Sequence, residues 1–205
     1  GWEVRDKSGT RYLFGGTPDS EQPGTSGTFR WCLRKVVDPN GNVLTITYTS
    51  DSGVRYLSRI DYTGHETGGV EDFATTHAVV FTTETRPDVD LSYRSGVAVT
   101  TARRLKEVTT YASGALARKV VLGYATSAQT GRSMLTSITQ IGTDGVTSLP
   151  PTTFSYQPTN APSYTQNDRG LVFQVPKLLF ELFRFPVLVR HSLSRLQVGA
   201  GKETS

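Results

Sequence analysis

Apolar and polar residues alternate in short runs along most of this chain, and a period of two is typical of half-buried β-strands. Residues 29–33 form one such run, and residues 44–48 form the next. Between them lies the stretch 38–42, Asp-Pro-Asn-Gly-Asn, in which proline presets φ and Asn-Gly tolerates the positive φ of a tight turn. The pattern therefore predicts strand, turn, strand at this point.

The same rhythm continues to residue 157, where glycine-containing pairs separate short runs rich in Val, Thr and aromatic residues. Such dense turn signals favour antiparallel meanders over parallel units with crossover helices. Residues 16–28 predict a loop, and Thr63-Gly64 predicts a turn. Because no convincing amphipathic helix precedes residue 170, we predict an all-β fold, a curved antiparallel sheet of consecutive hairpins that forms a partial shell or a sandwich.

A weak internal repeat runs through the predicted hairpins. Leucine is followed three positions later by an aliphatic residue in Leu57–Ile60, Leu105–Val108 and Leu135–Ile138. Strict alternation would place the two apolar side chains of each copy on opposite faces of the sheet. A β-bulge or burial of both faces is therefore expected at each copy, and either would suit a strongly curved sheet.

The largest side chains on the first predicted strands are expected to anchor the core, because aromatic residues at strand spacing are more often buried than exposed. These predicted anchors are Trp2, Tyr12, Phe14, Trp31, Ile46 and Tyr48.

The alternating strand and turn pattern ends near residue 157. We predict a β domain over 1–157, a linker over 158–170, and an irregular or partly helical tail over 171–205. Charged residues interrupt the apolar stretch 171–189, so a membrane-spanning helix is not expected. Two alternatives remain for the tail, a docking helix and a non-native end from a truncated or frame-shifted reading frame, and the second is favoured.

Charge and cysteine content narrow the class of protein. The net charge is +4, but residues 171–205 hold five basic and two acidic side chains, so the predicted fold is close to neutral. A nucleic-acid partner is therefore not expected. Cys32 is the single cysteine, which excludes an intrachain disulfide, and it is expected to be a buried, unreactive thiol. The chain starts at Gly1, so we expect an internal piece of a longer protein whose export signal lies upstream.

Motifs that carry chemistry are scarce, and we expect no catalytic residue, no cofactor and no metal site. Histidines occur at 65, 77 and 191, without the spacing of a zinc motif. The oxygen-bearing side chains of the 38–42 stretch lack the glycine and glutamate positions of an EF-hand, so a turn is favoured over calcium binding. Basic pairs at 103–104 and 118–119 are expected to be ordinary surface charge.

Two other functions remain open. Paired carboxylates facing each other across a cleft would indicate a glycoside hydrolase, whereas exposed aromatic side chains on one sheet face would indicate a carbohydrate-binding module. Spacing in the sequence does not show which carboxylates face each other. The carboxylates considered for the first function are Asp61, Glu66, Glu71, Asp72, Glu84, Asp88 and Asp90.

Several motifs in order resemble one known group of proteins. They are Trp2–Val4, Lys7–Gly15, Trp31–Asn42 with Tyr48, Leu57–Tyr62, and the ending Leu149–Tyr156. Their order and spacing over residues 1–157 resemble the N-terminal region of SpvB and of Tc-toxin B components, within the Rhs/YD-repeat toxin group. The resemblance ends near Asn160.

The resemblance implies a bacterial, secreted toxin component, held in the cytoplasm before export. In that group such a β-sheet forms part of a shell around a toxic C-terminal polypeptide. The implied partners are other parts of the same toxin: a β-propeller, a YD-repeat shell and a toxic C-terminal domain. It also implies a structural, non-enzymatic role for residues 1–157.

Overall fold

The computed structural model describes residues 1–94 and 96–156, and in these residues it contains β-strands and no helix. The strands are β1 (Trp2–Arg5), β2 (Arg11–Phe14), β3 (Glu21–Gly24), β4 (Gly27–Trp31), β5 (Leu33–Val37), β6 (Asn42–Asp51), β7 (Val54–Thr67), β8 (Val70–Phe73), β9 (His77–Ser92), β10 (Val99–Ala112), β11 (Ala115–Thr126), β12 (Ser133–Ile141) and β13 (Thr152–Thr153).

One antiparallel sheet of eleven strands dominates the fold, in the order β1-β2-β5-β6-β7-β9-β10-β11-β12-β13. Strand β9 pairs with residues 59–62 of β7, and strand β8 pairs with residues 65–67 of the same strand. Strands β3 and β4 form a separate two-stranded sheet. The sheet is open, with β1 at one edge and β13 at the other. The predicted all-β class and the antiparallel sheet of consecutive strands are therefore confirmed.

β-Bulges occur at all three copies of the leucine repeat. The register skips Ser58 in β7, Lys106 in β10 and Thr136 in β12, so each becomes an extra residue. The skip in β7 brings Leu57 opposite Tyr48 while Ile60 lies opposite Ile46, so both apolar side chains share one face. The predicted bulge is confirmed, and each bulge adds twist to the sheet.

The sheet contains a fourth copy of the repeat that the sequence pattern did not predict. In Leu33–Val36 the register skips Arg34, which places Leu33 opposite Phe14 and Val36 opposite Tyr12. Tyrosine hydroxyls donate to the carbonyl of the first leucine in three copies: Tyr48 to Leu33 at 2.7 Å, Tyr124 to Leu105 at 2.6 Å and Tyr156 to Leu135 at 2.7 Å. A bulge disturbs the backbone ladder, and these hydroxyls satisfy carbonyls beside it.

The four bulged copies collect apolar side chains on one side of the sheet, called here the aliphatic face. Its aliphatic members opposite one another on the long strands are Ile46, Ile60, Val79, Val108, Val120, Leu122 and Ile138. Val79, Val108, Val120 and Ile138 are buried, and the others are half-buried. Apart from the short β3–β4 sheet, the described residues contain no second sheet, so burial is shallow.

The prediction that both tryptophans anchor the core is wrong. Trp2 is 62% exposed and Trp31 is 37% exposed, and their rings meet edge to face with centroids 5.7 Å apart. Trp2 lies on the edge strand β1, where only one neighbouring strand covers it. The other predicted anchors, Tyr12, Phe14, Ile46 and Tyr48, are half-buried rather than fully buried.

Two local predictions also differ from the structure. Residues 16–28 are not entirely a loop, because β3 and the start of β4 form a hairpin within them. Thr63-Gly64 is not a turn between strands but lies inside β7, where Thr63 has a φ of 71°. The ladder with β6 shifts register there, so the positive φ serves a bulge.

The domain boundaries remain predictions. The linker over 158–170, the tail over 171–205 and His191 lie outside the described residues. Within the described residues, no helix is long and apolar enough to cross a membrane.

Candidate functional site

A cleft of about 520 Å³ lies at one end of the sheet, where the β1–β2 hairpin, the β5–β6 turn and the β7–β8 hairpin meet. Arg5 and Arg11 line it from the first hairpin, Asn40 from the turn, and His65 and Glu66 from β7. The sequence singled out His65 and Glu66 without indicating that they share a cleft.

The β5–β6 turn forms one wall of the cleft and is held by Asp38. One Asp38 carboxylate oxygen accepts hydrogen bonds from the backbone N–H groups of Asn40 and Asn42, both at 2.9 Å. The other accepts from the Asn42 side-chain amide at 2.7 Å. Gly41 has a φ of 86°, and a Cβ there would lie 2.4 Å from the Glu66 carbonyl oxygen. The predicted turn is confirmed.

Glu66 is the buried charge of the site, with a side chain only 4% exposed. Its carboxylate accepts hydrogen bonds from Lys35 of β5 and, at 2.5 Å, from Arg11 Nη2 of β2. The Lys35 hydrogen bond is the main reason that the pKa of Glu66 lies below its ordinary value, and Arg11 lowers it further. Arg11 and Lys35 balance the charge that burial would otherwise make costly.

His65 connects the β7–β8 hairpin to the β5–β6 turn. Its Nδ1 lies 2.6 Å from a carboxylate oxygen of Asp72, and its Nε2 lies 2.8 Å from the carbonyl oxygen of Asn40. The Asp72 carboxylate is the main cause that raises the pKa of His65 above its ordinary value. The same contact lowers the pKa of Asp72.

Most of the carboxylates considered for catalysis are held in separate ion pairs. Asp61 pairs with Arg59, Glu84 with Arg104, and Asp90 with Arg132. Of the seven candidates, Glu66 lines the cleft. Asp38 of the β5–β6 turn, which is not one of the seven, lines it as well. Both of these groups accept hydrogen bonds that hold backbone or cations in place, which favours a structural role for them.

Asp88 is the most strongly held of these carboxylates. It accepts two hydrogen bonds from Arg86, and Ser133 donates to it through both its backbone N–H and its hydroxyl. These donors, Arg86 first, place the pKa of Asp88 far below its ordinary value. The contact joins β9 to the start of β12, which is not its neighbour in the sheet, so the sheet curls at this end.

The basic pairs and the cysteine fit ordinary structural roles. Arg103 pairs with Asp51, Arg104 with Glu84, and Lys119 with Glu107. Cys32 is half-buried rather than buried as predicted, and this burial raises the pKa of its thiol. Among residues 1–94 and 96–156, no group of three or more His, Cys, Asp or Glu side chains is placed to hold a metal ion.

The sequence did not identify Arg11 and Lys35 as part of a site. They lie 55 and 31 residues from Glu66, and only the pairing of β2 with β5 brings them together. Leu13 lies opposite Lys35 and Arg11 opposite Val37, so the two cations share a face. Alternation within each strand was readable, but the order of strands in the sheet was not.

Among solved structures, the chain has the fold found in components of bacterial toxins and effectors. The N-terminal domain of the effector protein SpvB from Salmonella typhimurium superposes with a TM-score of 0.59 at 16% identity, over 69% of this chain and 60% of that one.

Tc toxin structures superpose more closely. A TcdB2-TccC3-Cdc42 structure has a TM-score of 0.65 at 20% identity, over 78% of this chain. A Photorhabdus luminescens Tc holotoxin pore has a TM-score of 0.64 at 20% identity, over 76% of it. In both, the chain spans 10% of the matched polypeptide. No family model and no curated protein sequence matches the chain.

Proposed function

We propose that this chain is a non-catalytic structural module of a secreted bacterial toxin complex of the insecticidal or Rhs type. Its sheet forms part of a β-shell that encloses or presents a toxic partner domain. The observation that carries this proposal is the open, bulged sheet, whose fold matches those of the SpvB domain and the Tc toxins.

The physical basis of the proposal is curvature. Four bulges fall on four different strands of one open sheet, and each increases the local right-handed twist. A strongly bent single sheet can serve as a wall, because backbone ladders hold it together along its whole width. Its partners are then the other parts of the same toxin: a β-propeller, a YD-repeat shell and the toxic domain.

A chimera tests the structural role. The segment of the TcdB2-TccC3 polypeptide that superposes on this chain is replaced by residues 1–156, and purified assemblies are treated with trypsin. We expect the TccC3 part to be digested as slowly as in the parent assembly, because the inserted sheet completes the wall. A chimera that carries an unrelated β domain of similar length is the control.

The measurement separates folding from function. Cooperative thermal unfolding of the purified chain on its own, followed by far-UV circular dichroism, shows that its sheet is folded. A folded insert whose TccC3 part is digested as rapidly as in the unrelated-domain control would contradict the proposal.

A second candidate function, carbohydrate binding, is favoured by one observation. Trp2 and Trp31 are exposed beside each other at the β1 edge, with ring planes at 89°. An exposed aromatic face can stack on the apolar face of a sugar ring, and two perpendicular rings would hold a sugar from two sides.

A glycan array with the purified chain tests this candidate, with a Trp2→Ala variant as the matched control. Carbohydrate binding requires hits that are lost in the variant. An array without hits removes this candidate and leaves the structural module.

A further inference from the structure

The β7–β8 hairpin ends in a cluster that joins three elements. His65 on β7 contacts Asp72 of β8 through Nδ1 at 2.6 Å and the Asn40 carbonyl of the β5–β6 turn through Nε2 at 2.8 Å. Thr67 Oγ1 donates to the second Asp72 oxygen at 2.7 Å. Asp72 is the extra residue where the β7–β8 ladder shifts register, and the bulge turns its side chain toward His65.

The chemistry of the two acceptors determines which protonation state of the ring can make both hydrogen bonds. A backbone carbonyl only accepts hydrogen bonds, and so does an ionised carboxylate. Both ring nitrogens of His65 must therefore donate, which only the doubly protonated imidazolium can do. The ring thus bridges β8 and the β5–β6 turn in its charged form.

Loss of one proton removes one of these bonds. With the remaining proton on Nε2, the Nδ1 lone pair faces the Asp72 carboxylate. With it on Nδ1, the Nε2 lone pair faces the Asn40 carbonyl. Neither neutral tautomer satisfies both contacts, so deprotonation weakens the connection between the hairpin and the turn.

Little else holds β8 in place among the described residues. All four of its residues are exposed, including Val70 at 71% and Phe73 at 68%. Apart from His65–Asp72, it is attached through its ladder to β7, through the Thr67–Asp72 hydrogen bond, and through an edge-to-face contact between Phe73 and the His65 ring, with centroids 6.2 Å apart. An element with so few buried contacts opens at low cost.

The charges around His65 favour the closed state when the ring is protonated. Asp72 faces it from β8, and Asp38 acts on it from the β5–β6 turn. Glu66, the next residue on β7, is neutralised by Arg11 and Lys35, and Arg5 lies across the cleft. The groups that act directly on the ring are thus the two aspartates.

We propose that His65, Asp72 and the Asn40 carbonyl form a pH-sensitive latch, closed when the imidazole is protonated, which releases strand β8 from β7 and from the β5–β6 turn when the imidazole is neutral. The release exposes the β7 backbone at residues 65–67, with which β8 pairs. This inference does not depend on the proposed toxin function.

Proton linkage gives the direction in which opening of the latch changes with pH. The pKa of His65 is raised in the folded protein, so the latch contributes fully at pH values below the unfolded value of about 6.5. Its contribution is lost as the pH rises through the folded value. The equilibrium constant for opening should be flat below about pH 6.5, rise by at most about tenfold per pH unit, and level off above the folded pKa.

Nuclear magnetic resonance on the full chain tests the latch between pH 5.5 and 8.5. The imidazole shifts of His65 report its titration, and protection of the β8 amides, corrected for intrinsic exchange, reports opening. We expect His65 to titrate above about 6.5 and β8 protection to fall over the same pH range. In His65→Gln, whose amide does not titrate, β8 protection should be independent of pH.

Two further variants test whether the pH dependence of β8 protection comes from the His65–Asp72 contact. His77→Gln is the matched control, because His77 faces the hydroxyls of Thr63 and Thr76 rather than a carboxylate, and it should keep the wild-type profile. Asp72→Asn retains His65 but removes the charge, so both titration and opening should move to lower pH. A wild-type His65 that titrates near 6.5, or an Asp72→Asn profile identical to wild type, would overturn the proposal.

Discussion

Replacing Ile138 with alanine is expected to lower the free energy of unfolding by about 2–5 kcal/mol, the range for truncating a buried aliphatic side chain to alanine. Ile138 is 8% exposed and lies opposite Leu122 on the aliphatic face. The bulge at Thr136 puts it there together with Leu135. Because the sheet has so few buried apolar side chains, the neighbours have little to repack with. Urea unfolding followed by circular dichroism measures the loss.

Trp31→Ala is the comparison that makes this result informative. Sequence alone predicted Trp31 as a core anchor, whereas the structure leaves it 37% exposed on β4 of the separate two-stranded sheet. Its truncation should cost about 1 kcal/mol, since it removes an edge-to-face contact with Trp2 and partly exposed surface. A larger loss for Trp31→Ala than for Ile138→Ala would contradict the shallow core described above.

The predictions that succeeded rest on local chemistry. The Asp38–Asn42 turn follows from residues that tolerate positive φ and from a carboxylate that binds its own backbone. The bulges follow from a contradiction within the sequence, because Leu57 and Ile60 can share a face only if one residue is skipped. Both arguments need no knowledge of distant parts of the chain.

The predictions that failed depend on which neighbouring strands bury a residue. Alternation shows that Trp2 and Trp31 lie on strands, but it does not show that β1 is an edge strand. The hairpin of β3 and β4 was missed because its Gly, Pro and Ser residues are typical of loops. Ser20 is fully buried beside it, where its backbone carbonyl accepts from Cys32 N–H at 2.7 Å. Such burial depends on tertiary contacts that override local propensity.

The Glu66 site illustrates the same limit at the level of function. The sequence placed Glu66 among seven carboxylates without a partner for any of them. Its partners come from β2 and β5, which reach it only because the chain inserts the β3–β4 hairpin and then returns to pair β5 with β2. Fold class was therefore predictable, whereas the site required the strand order.

Glu66→Gln should be the second strongly destabilising substitution. It keeps the shape of the side chain but removes the charge that Arg11 and Lys35 both contact. Removal of one partner from a fully buried ion pair typically costs 3–5 kcal/mol. Here both cations stay partly exposed and regain some hydration, so we expect a loss of about 2–3 kcal/mol at pH 7. Glu71→Gln, on the exposed strand β8, is the matched control and should change stability by less than about 0.5 kcal/mol.

The pH dependence of the loss identifies its cause. The pKa of Glu66 is lowered in the folded protein, so its stabilising contribution is present above the unfolded value of about 4.3 and disappears as the pH falls through the folded value. The difference in unfolding free energy between wild type and Glu66→Gln should therefore be constant from pH 6 to 7 and shrink below about pH 4. A difference that stays the same at low pH would mean that altered packing, rather than the ion pairs with Arg11 and Lys35, causes the loss.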